Sequence, residues 1–157
     1  MSTHEPSSQS AAYGNERQVA WCLGLAGLIP FLAGGAMAWF GPMVWQVIAI
    51  SGFTYYSAVI LSFLGGVHWG SALQVSRSGN VWRLLLAMLP SLIAWPALLM
   101  SVETGLWILL SGFILIGIYD LSRVGREGFP TWYFKLRGFL TLVVVVLHLV
   151  VLFRLGG

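Results

Sequence analysis

Between Gln18 and Arg154 long apolar stretches alternate with short polar breaks, and charge falls in the breaks or within a few residues of them. A helix needs about 20 apolar residues to cross ~30 Å of hydrocarbon at a rise of ~1.5 Å per residue. Five stretches meet or approach that length: Gln18–Phe40, Met43–Leu73, Val81–Met100, Thr104–Leu121 and Tyr133–Arg154. The breaks are Gly41-Pro42, Ser76-Arg77-Ser78-Gly79-Asn80, Ser101-Val102-Glu103 and the segment from Ser122 to Trp132. The pattern predicts an all-α membrane protein, a five-helix transmembrane bundle whose short connections make sequence neighbours antiparallel neighbours in space. Residues 1–17 are polar and are expected to form a disordered tail ahead of one five-span domain at 18–157. No basic stretch precedes a short apolar core as in a cleaved signal, so the first span is expected to remain in place.

Charge orients the bundle. Arg17, Arg77, Arg83, Arg123, Arg126, Lys135 and Arg137 lie at the end that carries the N-terminus, the opposite loops carry no Lys or Arg, and the C-terminal end has only Arg154. The positive-inside rule then puts the N-terminus in the cytoplasm and the C-terminus in the periplasm. Trp21, Trp69, Trp82 and Trp132 mark the inner boundary and Trp39, Trp45, Trp95 and Trp107 the outer one, as aromatic belts require. Composition agrees, with 58% hydrophobic and 8% charged residues against a usual ~25% charged. The pI of 9.4 does not point to nucleic acid, because the basic residues border apolar runs, where topology accounts for them.

A shift of 60 residues pairs Pro30 with Pro90, Leu32 with Leu92, Ser51-Gly52-Phe53 with Ser111-Gly112-Phe113 and Leu61-Ser62 with Leu121-Ser122. Two readings stand. Spans 1–2 and 3–4 are parallel copies of one hairpin with a fifth helix added, or the matches are chance in a chain rich in Leu, Gly and Ser. The prolines remove intrahelical hydrogen bonds and are expected as kinks.

Thr54, Ala58, Ser62, Gly66 and Gly70 recur every four residues along span 2, which predicts a small-residue stripe for close helix packing. His68, in "SFLGGVHWG", lies ~200° round the helix from Gly66 and Gly70 and points away from that stripe, so span 2 is expected to be buried on both sides. Asp120 is the only carboxylate inside an apolar run. At mid-membrane such a group costs ~2.5–3.5 kcal/mol on insertion scales, so it is expected to find a cation, Arg137 or Arg123. Asp120 is then either an ion pair tying spans 4 and 5 or the partner of His68 in a proton-handling or headgroup-binding pair. The candidate ligand-binding set is His68, Trp69, Asp120 and Arg137. Tyr55, Tyr56 and Tyr119 are read as packing residues and Cys22 as a small hydrophobe. His148 and His68 sit at different depths, about 11 residues or ~16 Å apart by way of Arg137, which argues against a bis-histidine haem. No catalytic motif and no metal-spaced Cys/His set is visible, and no cofactor is assigned.

At "SFLGGVHWG", with the Pro-interrupted third span, "YDLSR" at Tyr119–Arg123 and "KLRGFLTL" at Lys135–Leu142, the chain resembles an uncharacterised bacterial and mitochondrial inner-membrane domain family that includes transmembrane protein 69. The resemblance spans about Ala20 to Val150. It implies a multi-pass inner-membrane protein and no activity; the bacterial inner membrane is favoured because no acidic-poor, Arg-rich leader is present. The first functional reading is a non-enzymatic accessory or assembly subunit of a larger inner-membrane complex, for example a respiratory one, or a self-associating protein, acting through helix packing. The second is a binder of a small amphiphile, a quinone or lipid headgroup, at an inner-leaflet site. The third is a small transporter whose hairpins rock.

Overall fold

The computed structural model describes residues 6–75, 81–122 and 129–156, which form six helices. These are α1 (Pro6–Ala26), α2 (Ile29–Phe40), α3 (Met43–Val75), α4 (Val81–Ala97), α5 (Val102–Leu121) and α6 (Thr131–Gly156). Four segments are long and apolar enough to cross a membrane: Asn15–Phe40, Met43–Gln74, Val102–Leu121 and Thr131–Gly156; Val81–Ala97 is apolar and shorter, at 17 residues. That length is still at the low end of what spans. The molecule is a helical membrane bundle with no strand among the described residues.

The first span is two helices, broken at Gly27-Leu28. Pro30 sits in the first turn of α2, where a missing backbone N–H costs nothing because first-turn donors have no intrahelical partner. Tyr56 Oη donates to Gly27 O at 2.9 Å and pins the break to α3. Pro90, its counterpart by the 60-residue shift, lies inside α4 without ending it. Helix also reaches back from Gln18 to Pro6, into the segment the sequence assigns to a tail; residues 1–5, Arg77, Arg123 and Arg126 fall outside the described residues. After Pro96, tighter turns close α4: Leu98 N–H donates to Trp95 O at 3.2 Å and Leu99 N–H to Pro96 O at 3.0 Å. Ser101 then caps α5, its hydroxyl oxygen accepting from Thr104 N–H at 3.4 Å. Span 4 therefore starts two residues before Thr104.

Helix α3 is central, packing against α2, α4 and α5, while α5 and α2 also pack on α6. Its buried seam runs through Thr54, Ala58, Leu61, Gly65, His68 and Ala72, with steps averaging close to the helical repeat. A residue added every fourth position instead drifts ~40° per step. The small-residue stripe accordingly starts in the seam at Thr54 and Ala58, is half-buried at Ser62, and emerges on the exposed face at Gly66 and Gly70, where nothing lies within 4 Å of an added Cβ. Helix α3 is thus buried on one side and exposed on the other, not buried on both.

The closest approach falls on Gly65, where an added Cβ would meet Ala87 O at 2.6 Å. Gly105 meets Ala97 O still more tightly, so glycine and alanine line both faces of α4's contacts. Around mid-bundle Phe31, Phe53, Leu61, Leu106, Leu109 and Phe113 are nearly inaccessible. Every tryptophan is exposed or half-buried, as belt residues would be.

Candidate functional site

Three polar side chains converge where α3, α5 and α6 meet. His68 comes from the lower half of α3, Asp120 from the last turn of α5, and Arg137 from the second turn of α6; all are at most 7% exposed. His68 Nε2 lies 2.6 Å from Asp120 Oδ1, a charge-assisted contact in which the nitrogen donates to the carboxylate. Arg137 Nε lies 3.0 Å from Asp120 Oδ2, an ion pair whose N–H is not aligned as a hydrogen bond. A carboxylate at a helix C-terminus faces the negative end of the macrodipole as well as the cost of burial, and both favour cations beside it. The edges of the Tyr119 and Phe129 rings, with centroids 5.0 and 5.9 Å from that of His68, enclose the imidazole.

The guanidinium is half used. Nε and Nη2 share one edge, and a carboxylate can take both at once. Here Asp120 gives its other oxygen to His68, and Arg137 Nη2 is buried with no partner. Thr141, one turn along α6 on the same face, has a buried hydroxyl that also has none.

Arg137 and Thr141 line an apolar cavity of about 400 Å³ bounded by α1, α2, α3 and α6, whose wall includes Gly24, Phe31, Leu64 and Tyr133. Its flank reaches the surface at Leu23, 68% exposed, and Phe63, 64% exposed. A second crevice of about 260 Å³ touches Arg137 and Thr141 from the other side of the α5–α6 contact. His68 borders a third, of about 180 Å³, with Pro90, Gly112 and Tyr119.

Of the sequence candidates, His68, Asp120 and Arg137 are brought together. Trp69 is not: it is 38% exposed and turned out of the cluster. Of the packing stripe, Thr54 and Ala58 are buried and Ser62, Gly66 and Gly70 are not. Thr141 and Tyr133 carry no sequence signal of a site, because Thr and Tyr in a membrane helix ordinarily signal packing.

His148 occupies a separate cluster. Its ring is fully buried against Phe31, Phe53 and Phe113, with centroids 6.0, 4.9 and 5.3 Å away. Nδ1 lies 2.8 Å from Val144 O, and Nε2 has no partner. The two phenylalanines paired by the 60-residue shift, Phe53 and Phe113, both touch this ring, whereas Gly52 is open and Gly112 is crowded by Leu61. Among the described residues no group of three or more His, Cys, Asp or Glu side chains could hold a metal.

Residues 16–153 match the family described as a protein of unknown function, DUF3429. The chain is also similar to transmembrane protein 69 of Xenopus tropicalis, 35% identical over 127 residues, which cover 78% of this chain and 49% of that protein. The chain thus spans about half the length of this curated relative. No solved structure matches the chain.

Proposed function

We propose a function from one premise: the chain belongs to the DUF3429 family, membrane proteins to which no activity is attached. It is a non-enzymatic binder of one small amphiphile, a quinone or a molecule with a lipid-type headgroup. The polar head sits at Arg137, which Asp120 holds in place from its other side, and the apolar part fills the cavity among α1, α2, α3 and α6. The observation that carries this is that Arg137 belongs at once to a buried ion cluster and to the wall of an apolar cavity of about 400 Å³. Small-molecule sites are apolar spaces of ~300–1,000 Å³ with a few convergent polar groups. The protein sits in a bacterial inner membrane with its N-terminus cytoplasmic, a reading supported by Arg17, Arg83, Lys135 and Arg137 lying at one end of the bundle. The site then lies in the inner leaflet.

Native mass spectrometry of the detergent-released protein, incubated with decylubiquinone or dodecanoate, tests this. One ligand mass should be retained per chain, and Val67→Phe, which narrows the cavity from α3, should remove it at unchanged helix content. Retention of neither probe above the Val67→Phe level overturns the reading.

A second reading, an accessory subunit or self-associating protein, is favoured by Gly66 and Gly70 standing on the exposed face of α3 with nothing near them. Such a surface admits another helix at close range. Mild solubilisation of native membranes should then yield the chain with a partner; a protein that always purifies alone counts against it.

A further inference from the structure

We infer that the head of the ligand offers acceptor oxygens, and that Thr141 binds it together with Arg137. This rests on the amphiphile-binding reading above and narrows it. The buried hydroxyls of Thr54 and Ser57 return to their own helix, donating to Ile50 O at 2.9 Å and Phe53 O at 2.7 Å, as does that of exposed Ser111 to Trp107 O at 2.8 Å. That return to the carbonyl four residues back is the usual disposal of a membrane-helix hydroxyl. Thr141 Oγ1 does not make it, although it is buried.

One turn before it, Arg137 Nη2 is buried and unpartnered, and both side chains line the same cavity. Arg is a donor only, and a threonine hydroxyl can donate while its remaining lone pairs stay idle. Two unpartnered donors at i and i+4, on residues that line one cavity, select a head that accepts. Asp120 Oδ2 also lacks an aligned hydrogen bond, but it is held at 3.0 Å by Arg137 Nε and therefore already faces a cation. It also repels a second anion unless the guanidinium stands between them. Since Nη2 continues the edge whose Nε faces Asp120, one guanidinium bridges the carboxylate of the protein and the acceptor oxygen of the ligand. The shared chemistry is an oxygen without its own proton: a carboxylate, a phosphate ester or a quinone carbonyl. A head that only donates, such as a primary ammonium, finds Arg137 in its way.

The test compares heads on comparable tails, by titrating the full chain in nanodiscs with dodecanoate, dodecyl phosphate, decylubiquinone and dodecylammonium. At least one of the first three should bind at least tenfold tighter than dodecylammonium, and which one does so separates the carboxylate, phosphate and quinone sources. Thr141→Val keeps the methyl that packs on Gly117 and should weaken that probe about tenfold, while Thr141→Ser should retain most of the affinity. Dodecylammonium binding as tightly as the others, and still displaced by Val67→Phe, overturns this inference and leaves the cavity reading standing. An affinity unchanged in Thr141→Val removes Thr141 from the site. Binding of none of the four defeats both.

Discussion

Asp120 divides its two oxygens between an imidazole and a guanidinium, so its removal strands more than its own charge. Asparagine at 120 leaves Arg137 buried without an anion, and breaking such a pair typically costs ~3–5 kcal/mol. We expect Asp120→Asn to lower the unfolding midpoint in detergent by far more than His68→Gln, which strands no permanent charge. An Asp120→Asn midpoint matching the parent would show the ion pair to be energetically idle. Replacing both members, as Asp120→Leu with Arg137→Met, should recover part of the loss, since an apolar pair carries no desolvation penalty. His148 provides the contrast. Its imidazole sits among three phenylalanines with Nε2 unpartnered. His148→Leu deletes one hydrogen bond and one unsatisfied acceptor together, and should shift stability by less than ~1 kcal/mol. A loss as large as that of Asp120→Asn would mean that the histidine has a partner of its own.

At the scale of the helix, α3 separates two adjacent glycines. Ala at Gly65 would drive its Cβ to 2.6 Å from the Ala87 carbonyl oxygen, a backbone atom that moves only if α4 moves. Gly65→Ala should therefore destabilise by ~1–3 kcal/mol. Gly66→Ala meets open space and should be neutral or stabilising by up to ~1 kcal/mol through helix propensity. Thermal unfolding of the two variants side by side checks this, and equal effects would contradict the packing seam described for α3.

The same helix shows what a sequence alone can yield. Apolar run length was enough to place the spans, and counting charges by membrane side was enough to bring His68, Asp120 and Arg137 to one end. Counting every fourth residue was not enough to find the seam, because the small residues drift round the helix and the true contact passes from Ala58 to Leu61 and Gly65. Pro30 reads as a kink in sequence and proves to be the start of a new helix, since a proline pattern does not record whether the preceding turn continues. Thr141 gives no signal in sequence, because a helical threonine normally satisfies itself and only the folded structure leaves this one without a partner.

For the whole molecule, the proposed orientation has a direct check in a Cys22→Ser background. A membrane-impermeant maleimide added to intact cells should label Glu103→Cys, at the turn before α5, and should label Lys135→Cys only after the membrane is opened. The reverse pattern would invert the topology and move the cluster to the other leaflet. At ~1.5 Å per residue, the 33 residues of α3 measure ~50 Å, more than the hydrocarbon is thick. Part of it therefore lies beyond the apolar slab or crosses at a tilt.

The cavity flank formed by Leu23 and Phe63 bears on how occupancy should be measured. Both side chains are exposed on apolar helices, so under the proposed amphiphile-binding reading a guest would arrive sideways out of the acyl chains rather than up from water. Its effective concentration is then a mole fraction within the bilayer, and mass action runs on that quantity. Adding protein-free lipid at constant total guest should empty the site, whereas adding buffer should leave it filled.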